Sequence, residues 1–423
     1  MPFSRRTSTA SAAVAFLLGA CGEGDPVMLE AVAASCSGGP AQHLDRLPSG
    51  AMVLNAYFLQ EEATRDARRG AAESPVLEEV LAKASALGVR ALRTNGHNDA
   101  LSKVGDTAIQ VAPLEYDEVA LVGLDWVLTR ARFHGVRLVL TLGNYWDAYG
   151  GARQYVEWAG LPRPVEGDAR FFTDPVVVAH FKAHVARLLN RVNTVDGIRY
   201  GDHPAVLAWE LLNEPRGRGL DKEGARLRAW IDDVAREVKT HAPGHLVGTG
   251  EEGFEPSPDG YDPGFWSRSG SPVLRTPGAS FTRNTASPYI DFASVHFYPE
   301  SWGLGGIDTA EAGARWIREH AAIARNLGKP LFVGELGLRN EGAFDVSQRR
   351  ALYRGWLECM RKEGVGAGAL WMFSTDARPE AWDDYTFYYR DGTQPGDPVN
   401  RYADLVMEAA AAERPGAAVS TGR

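Results

Sequence analysis

Two glutamates each follow a short apolar run of the chain. Glu214 comes just after the run 206–212, and Glu335 directly follows the run 331–334. An ionised side chain at the end of a buried strand is costly unless the protein uses it. Two carboxylates that face each other at about 5–5.5 Å can serve as proton donor and nucleophile in a double displacement at a glycosidic carbon. Either glutamate could instead be half of a structural ion pair.

The elements that would position this pair follow from the alternation of short apolar runs with longer amphipathic segments. Strands are predicted at 52–59, 91–94, 137–142, 206–212, 246–249, 292–296, 331–334 and 367–372. Helices are predicted at 76–87, 119–134, 176–193, 227–240, 312–327 and 348–363. This alternation predicts an α/β fold, a single-domain (β/α)8 TIM barrel, in which strands four and seven place the two glutamates across the mouth. A doubly wound open sheet is the alternative, but no phosphate-binding glycine motif follows the first strand.

Three connections are long, at 95–115, 144–174 and 250–291, and the last two are rich in glycine, proline and aromatic residues. Each follows the carboxyl end of a predicted strand, which is the face where barrel enzymes build their sites. We therefore expect a cleft around an extended ligand on the C-terminal face.

The first residues have the features of an export signal. Arg5 and Arg6 precede an apolar stretch at 12–18, and Leu18-Gly19-Ala20-Cys21 resembles the lipobox of bacterial lipoproteins. We predict a signal peptide at 1–20, lipidation of Cys21, a flexible tether at 21–48, a catalytic domain at 49–415 and a disordered tail at 416–423. The protein is then exported and anchored through Cys21, its one link to a membrane; a plain signal peptide would make it secreted.

Charge and cysteine content exclude several other classes of function. The formal net charge of -9 and the lack of a basic block disfavour nucleic-acid binding. No cysteine or histidine cluster has zinc spacing. Cys36 and Cys359 are permitted to pair in an exported protein, but two free thiols are an equally good prediction.

Several motifs, in order along the chain, resemble glycoside hydrolase family 5 of clan A, above all its endo-β-1,4-mannanases. The resemblance extends from about Asn55 to Trp371. It rests on Asn213-Glu214-Pro215-Arg216, on the strand-end Glu335 and on the segments 144–151, 154–158, 171–175, 207–212, 291–299 and 301–302.

The resemblance implies a role for each matching residue. Glu214 would be the acid/base and Glu335 the nucleophile, with no cofactor and no metal. The residues expected to bind or orient a β-mannan-type polysaccharide are Arg93, Asn144, Trp146, Asn213, His296, Tyr298, Trp302 and Trp371. Arg93 would keep Glu335 ionised, Asn213 would bind the sugar 2-hydroxyl, and Trp371 would be the platform for the sugar. We expect Glu335 to raise the pKa of Glu214, and we expect the protein to be a monomer.

Two departures leave the polymer open. Asn95 stands where these mannanases have a tryptophan, and the loop 250–277 is longer than usual. The alternatives are another family 5 β-glycanase, an exo-acting β-mannosidase or transglycosylase, and a non-catalytic surface glycan-binding lipoprotein.

Overall fold

A computed structural model of the protein describes residues 35–36, 38–45, 47, 51–99, 106–256, 261–271, 278–378 and 383–389. Eight strands form one parallel sheet: β1 (Ala51–Asn55), β2 (Ala91–Asn95), β3 (Arg137–Thr141), β4 (Val206–Glu210), β5 (Leu246–Gly248), β6 (Ala293–Phe297), β7 (Leu331–Leu336) and β8 (Ala367–Leu370). Their order is β5-β4-β3-β2-β1-β8-β7-β6. A parallel bridge between Gly248 and Phe292 joins the two ends, so the sheet closes into the predicted barrel.

Helices surround this barrel. The longer ones are α1 (Leu59–Arg68), α2 (Pro75–Ala86), α3 (Glu118–Phe133), α4 (Gly151–Trp158), α5 (Pro175–Leu189), α6 (Ala225–His241), α7 (Thr309–Asn326) and α8 (Val346–Lys362). Shorter helical turns lie at Arg170–Thr173, Tyr200–Asp202, Pro263–Trp266, Ser267–Ser269 and Phe281–Thr285. Side chains of Ser74, Asp117 and Asp174 accept backbone N–H groups at the starts of α2, α3 and α5, as N-caps do.

The six predicted helices are confirmed, with bounds that differ from the prediction by up to four residues. The fifth long helix ends at Leu189, four residues before the predicted end. The first strand ends at Asn55 rather than at 59, and Leu59 begins α1, which the sequence did not predict. The apolar run misled because Tyr57, Phe58 and Leu59 are all buried although they have left the strand.

The base of the barrel is closed by part of the segment predicted as a tether. Leu44 is fully buried and packs with Ala51 and Val53 of β1. Gln42 accepts a hydrogen bond from the backbone N–H of Leu331 at 2.9 Å. The described part of this segment is therefore packed rather than free, and the folded unit begins before the predicted residue 49.

A disulfide between Cys36 and Cys359 attaches the same segment to α8. Their Cα atoms are 5.5 Å apart, although 323 positions separate them in the chain. The sequence left a disulfide and two free thiols open for these cysteines, and the structure has the disulfide.

The mouth of the barrel carries two small two-stranded sheets. Gln110–Ala112 pairs antiparallel with Glu115–Tyr116 in the connection after β2. Phe373–Thr375 pairs parallel with Phe387–Tyr389 beyond β8. The second sheet brings residues 383–386 back over the mouth.

The predicted signal peptide, Cys21 and the tail 416–423 lie outside the described residues. Across the ranges given above, no helix combines the length and apolar character needed to cross a membrane.

Candidate active site

The backbone after β4 turns Glu214 into the mouth. Asn213 N–H donates to the carbonyl of Gly143, and Glu214 N–H donates to that of Gly250, both at 2.8 Å. Glu214 has a φ of 53°, a left-handed conformation that few residues other than glycine adopt. Such backbone strain is held in place only where the surrounding structure fixes it, and it concentrates at functional sites.

Glu335 lies one residue before the end of β7 and is held by Arg93 of β2. One Nη of Arg93 donates to Glu335 Oε1 at 2.6 Å, and its Nε donates to Glu210 Oε2 at 2.7 Å. The same guanidinium donates to Asn213 Oδ1 at 2.8 Å and to Asn55 Oδ1 at 3.3 Å. Arg93 is completely buried, so these four acceptors fix its position and its permanent charge beside Glu335.

Tyr298 supplies the second contact to Glu335. Its hydroxyl donates to Glu335 Oε2 at 2.5 Å. Each oxygen of this carboxylate therefore accepts a hydrogen bond, one from a cation and one from a phenol, and both favour the ionised form.

His296 lies between the two glutamates. Its Nδ1 is 2.8 Å from Glu214 Oε1 and 3.6 Å from Glu335 Oε1. One carboxylate oxygen of Glu214 and one of Glu335 lie within 4.8 Å of each other. This spacing suits direct attack by a nucleophilic carboxylate, since an inverting pair needs about 6.5–9.5 Å to admit a water.

The pKa values of the three groups depend on one another. Burial raises the pKa of Glu335, which outweighs the opposing charges of His296 and Arg93. Burial also acts to raise the pKa of Glu214, but the hydrogen bond and charge of His296 lower it overall. The pKa of His296 is raised, because the charges of the two glutamates exceed the effect of its burial. The predicted rise of the Glu214 pKa is therefore wrong, because the hydrogen bond and charge of His296 outweigh burial.

Asn213 and Asn144 are joined beside Arg93. Asn213 Nδ2 donates to Asn144 Oδ1 at 3.2 Å, and Asn144 Nδ2 donates to the carbonyl of Ala148 at 3.0 Å. Both residues border the cavity at the mouth. Asn213 Nδ2 keeps a second N–H that can reach a hydroxyl in the cavity.

Trp371 forms part of the cavity wall just beyond β8. Its ring lies 5.2 Å from that of Tyr57, which in turn lies 6.1 Å from Tyr149. Its indole N–H donates to Asp383 Oδ2 at 2.5 Å. A half-buried indole with its N–H fixed offers one open face to an apolar surface such as the C–H face of a sugar ring.

Trp146 contacts Glu214 directly. Its Nε1–H donates to Glu214 Oε2 at 2.5 Å. The guanidinium of Arg216 stacks on the Trp146 ring at 4.7 Å and forms two hydrogen bonds, of 2.5 and 2.6 Å, with Glu252.

These residues share one cavity of about 530 Å³. It is lined by residues predicted for the site, Asn144, Trp146, Asn213, Glu214, Tyr298, Trp302, Glu335 and Trp371, and by Tyr57, Ala148, Tyr149, Arg216, Glu252, Ser301, Asp383 and Tyr385. Arg93 and His296 lie behind this lining and act through the glutamates.

Two residues singled out in the sequence have little or no exposed surface. Trp302 borders the cavity but is only 5% exposed, because it packs among Phe254, Phe297 and Trp316. Asn95 is fully buried and its side chain donates to the carbonyl of His97. It stabilises the loop after β2 and has no surface in the cleft.

Sequence reasoning gave no role to Glu210, Tyr57, Arg216, Glu252, Asp383 or Tyr385. Glu210 had a usable signal, since a carboxylate within the apolar strand β4 requires a buried cation as its partner. The others occupy loops, where no periodicity marks a side chain that faces the mouth.

Glu214, His296 and Glu335 are also close enough to share a metal ion, the one such group within the described ranges. All four oxygens of the two carboxylates already have donors, namely His296, Trp146, Arg93 and Tyr298. The donor set therefore suits proton transfer better than metal binding.

Comparison with known proteins identifies the family. The family described as "GH family 5 beta-mannosidase-like" matches residues 55–403 of this chain. Mannan endo-1,4-beta-mannosidase 1 of Oryza sativa subsp. japonica is 36% identical over 338 residues, covering 77% of this chain and 75% of that protein. Another protein of that species is 39% identical over 331 residues, but the match covers 75% of this chain and 65% of that protein.

A solved structure has the same fold. The endo-beta-1,4-mannanase from Thermotoga petrophila superimposes with a TM-score of 0.75 at 26% identity, covering 89% of this chain and 80% of that one. This chain belongs to glycoside hydrolase family 5, in its β-mannosidase-like group.

Proposed function

We propose that the protein is a retaining endo-β-1,4-mannanase that hydrolyses mannan, glucomannan or galactomannan. The observation that carries this proposal is the pair of carboxylates within 4.8 Å of each other and in different surroundings. The name of the rice relative and that of the Thermotoga petrophila enzyme support the substrate and the endo mode of action.

In the first step, a mannosyl unit stacks on Trp371 and its 2-hydroxyl accepts the free N–H of Asn213. Glu335 attacks the anomeric carbon, and the bond to the leaving oxygen breaks as that oxygen takes a proton from Glu214. The products are a mannosyl ester of Glu335 and a shortened polymer. Arg93 and Tyr298 favour the ionised form of Glu335 and aim its carboxylate for this attack.

In the second step, Glu214, now ionised, takes a proton from water as the water attacks the same carbon. The ester bond breaks, Glu335 leaves as a carboxylate, and the product keeps the β configuration. Two inversions at one carbon give net retention.

The proton for the first step is stored between His296 and Glu214. An imidazolium beside a carboxylate and a neutral imidazole beside a carboxylic acid contain the same number of protons. They differ by one transfer along a hydrogen bond of 2.8 Å. The trio therefore titrates as a unit, which predicts a bell-shaped dependence of rate on pH.

Reducing-sugar release from glucomannan, galactomannan and carboxymethyl cellulose tests the activity. We expect activity on the two mannans, none in Glu335→Ala, and wild-type rates in Glu341→Ala, the same change at an exposed glutamate outside the cavity. Proton NMR of early products should show the β anomer first. Mannose released from chain ends alone would favour an exo enzyme, and activity on carboxymethyl cellulose a cellulase.

A folded wild-type protein that binds mannan but releases no sugar would favour the non-catalytic alternative. In that case wild type and Glu335→Ala would show the same lack of reducing-sugar release.

We also propose that the protein is exported, anchored by a lipid on Cys21 and monomeric. The lipobox-like sequence before Cys21 supports the anchor, and the Cys36–Cys359 disulfide suits an oxidising compartment. In cells given an alkyne-labelled fatty acid, we expect the label on the wild type and not on Cys21→Ala. If the wild type takes up no label, the anchor is contradicted and the protein is secreted without a lipid. Light scattering tests the oligomeric state and should give the mass of one chain.

A further inference from the structure

Residues 383–386 contact both halves of the candidate active site, the Trp371 platform and the pair of Tyr298 and Glu335. Asp383 Oδ2 accepts the indole N–H of Trp371 at 2.5 Å. Its Oδ1 accepts the backbone N–H of Tyr385 at 2.9 Å and the hydroxyl of Thr386 at 3.2 Å. The Asp383 carboxylate thus joins the Trp371 indole to the turn formed by residues 383–386. Three donors converge on it, which an acceptor-only side chain satisfies and an amide does not.

Tyr385 contacts the other half. Its ring meets that of Tyr298 edge-on, with centroids 5.2 Å apart. Its hydroxyl hydrogen-bonds to Ser301 at 2.5 Å, which joins the loop after β8 to the loop after β6 across the end of β7. A Cβ on Gly337 would lie 2.3 Å from Tyr298 and 3.0 Å from Tyr385, so both rings lie directly against the backbone that follows Glu335.

Tyr298 has little freedom to move in this arrangement. Gly337 lies on one side of its ring and Tyr385 on another, and its hydroxyl donates to Glu335. If Tyr385 were removed, the Tyr298 ring could swing away and Glu335 would lose a donor.

We propose that Asp383 and Tyr385 are positioning residues that hold the Trp371 platform and the Tyr298 donor at a fixed distance and orientation relative to each other. This inference rests on the proposed function in one respect, namely that Trp371 carries the sugar that Glu335 attacks. Attack requires the reacting atoms at about 3–3.5 Å, and an error of about 1 Å costs about 10²-fold in rate. Joining platform and nucleophile through three consecutive residues limits that error.

The first test needs no substrate. The protein is labelled with 5-fluorotryptophan, and the Trp371 signal is assigned by its absence in Trp371→Phe. We expect a single sharp signal in the wild type, and a shifted or broadened one in Asp383→Ala. Asp384→Ala is the matched control, because that neighbouring carboxylate accepts the N–H of Glu341 and, among the described residues, does not line the cavity. An unchanged Trp371 signal in Asp383→Ala would overturn the role of Asp383.

The second test uses rates on mannan. We expect kcat to fall about 10-fold or more in Asp383→Ala and in Tyr385→Ala, with KM changed less than about 3-fold. Asp383→Asn should recover part of the loss, because its one oxygen can still accept from Trp371. In Tyr385→Ala the acid limb of the pH profile should move to higher pH, since Glu335 loses the donor that lowers its pKa.

Tyr385→Phe keeps the ring contact with Tyr298 and provides the conservative comparison; its acid limb should stay in place. An acid limb that does not move in Tyr385→Ala would overturn the role of Tyr385. If Asp383→Ala does not fold, the test passes to a double-mutant cycle: Asp383→Asn in the Trp371→Phe background should cost less than in the wild type, and an equal cost would overturn the proposal. A wild type inactive on every mannan contradicts the proposed function, whereas the fluorine signal still decides the contact between Asp383 and Trp371.

Discussion

The two carboxylates of the site have the same chemistry and differ in what surrounds them. Glu335 lies in β7 and accepts from Arg93, whose charge is permanent and whose guanidinium is also held by Asn55 and Glu210 of the barrel strands. Glu214 lies beyond β4 and accepts from His296, which titrates, and from Trp146, which lies on a loop. A fixed charge suits a group that must stay ionised, and a titratable partner suits a group that must give and take a proton.

The largest effect should come from removing Glu335. Glu335→Ala should lose at least about 10⁴-fold in kcat on mannan, because no other group can form the ester. With an aryl mannobioside and azide, Glu335→Ala should yield the α-azide and Glu214→Ala the β-azide, as seen by NMR. The opposite pair of products would reverse the two roles.

The two arginines of the site should differ in importance. Arg93→Lys should lower kcat/KM by about 10²-fold, since a single ammonium cannot serve four buried acceptors at once. Arg216→Lys should cost less than about 10-fold, because a lysine can still meet Glu252. Steady-state kinetics with thermal unfolding of each variant tests this order, and equal losses would mean that Glu335 is no more dependent on a fixed charge than Glu214.

His296 should affect both carboxylates in the same direction. Its charge lowers the pKa of Glu214 and opposes the rise of the Glu335 pKa. In His296→Asn the pKa of Glu335 should therefore increase, and the acid limb of the profile of kcat/KM against pH should move to higher pH, with a maximum about 10-fold lower. Movement of the acid limb to lower pH is the result that this account does not allow.

Trp146 should affect one carboxylate alone and give the smallest change. Trp146→Phe keeps the ring under Arg216 and removes the N–H that lowers the pKa of Glu214. We expect only the alkaline limb to move to higher pH, with a loss of a few-fold in rate. Trp158→Phe, in α4 and outside the cavity, is the control; if the acid limb moved instead, Trp146 would not be bonded to the proton donor.

How far the sequence predicted the molecule depended on what kind of signal each residue left. The strand ends marked Glu214 and Glu335, because a charged residue after an apolar run is visible without a structure. The helix α1 was missed because its first residue extends the apolar run of β1. Asp383 and Tyr385 left no local signal, since their partners Trp371, Tyr298 and Ser301 lie up to 87 positions away in a chain of 423.

Trp302 shows a further limit. Its loop position predicted a residue that lines the cleft, and it does border the cavity, but three aromatic neighbours cover nearly all of its surface. Loop position alone does not separate a platform from a packed side chain, because long loops at a barrel mouth build small cores of their own.

The Cys36–Cys359 bond also determines how the protein bears mechanical load. Cys36 is bonded to α8 three residues before that helix ends. A pull applied to the chain at Cys36 passes through the disulfide into α8, which connects β7, with Glu335, to β8, which Trp371 follows. The segment 38–45 and the first strand then carry no tension. If the disulfide were reduced, the same pull would peel that segment from the base and act next on β1, whose last residue, Asn55, bonds Arg93.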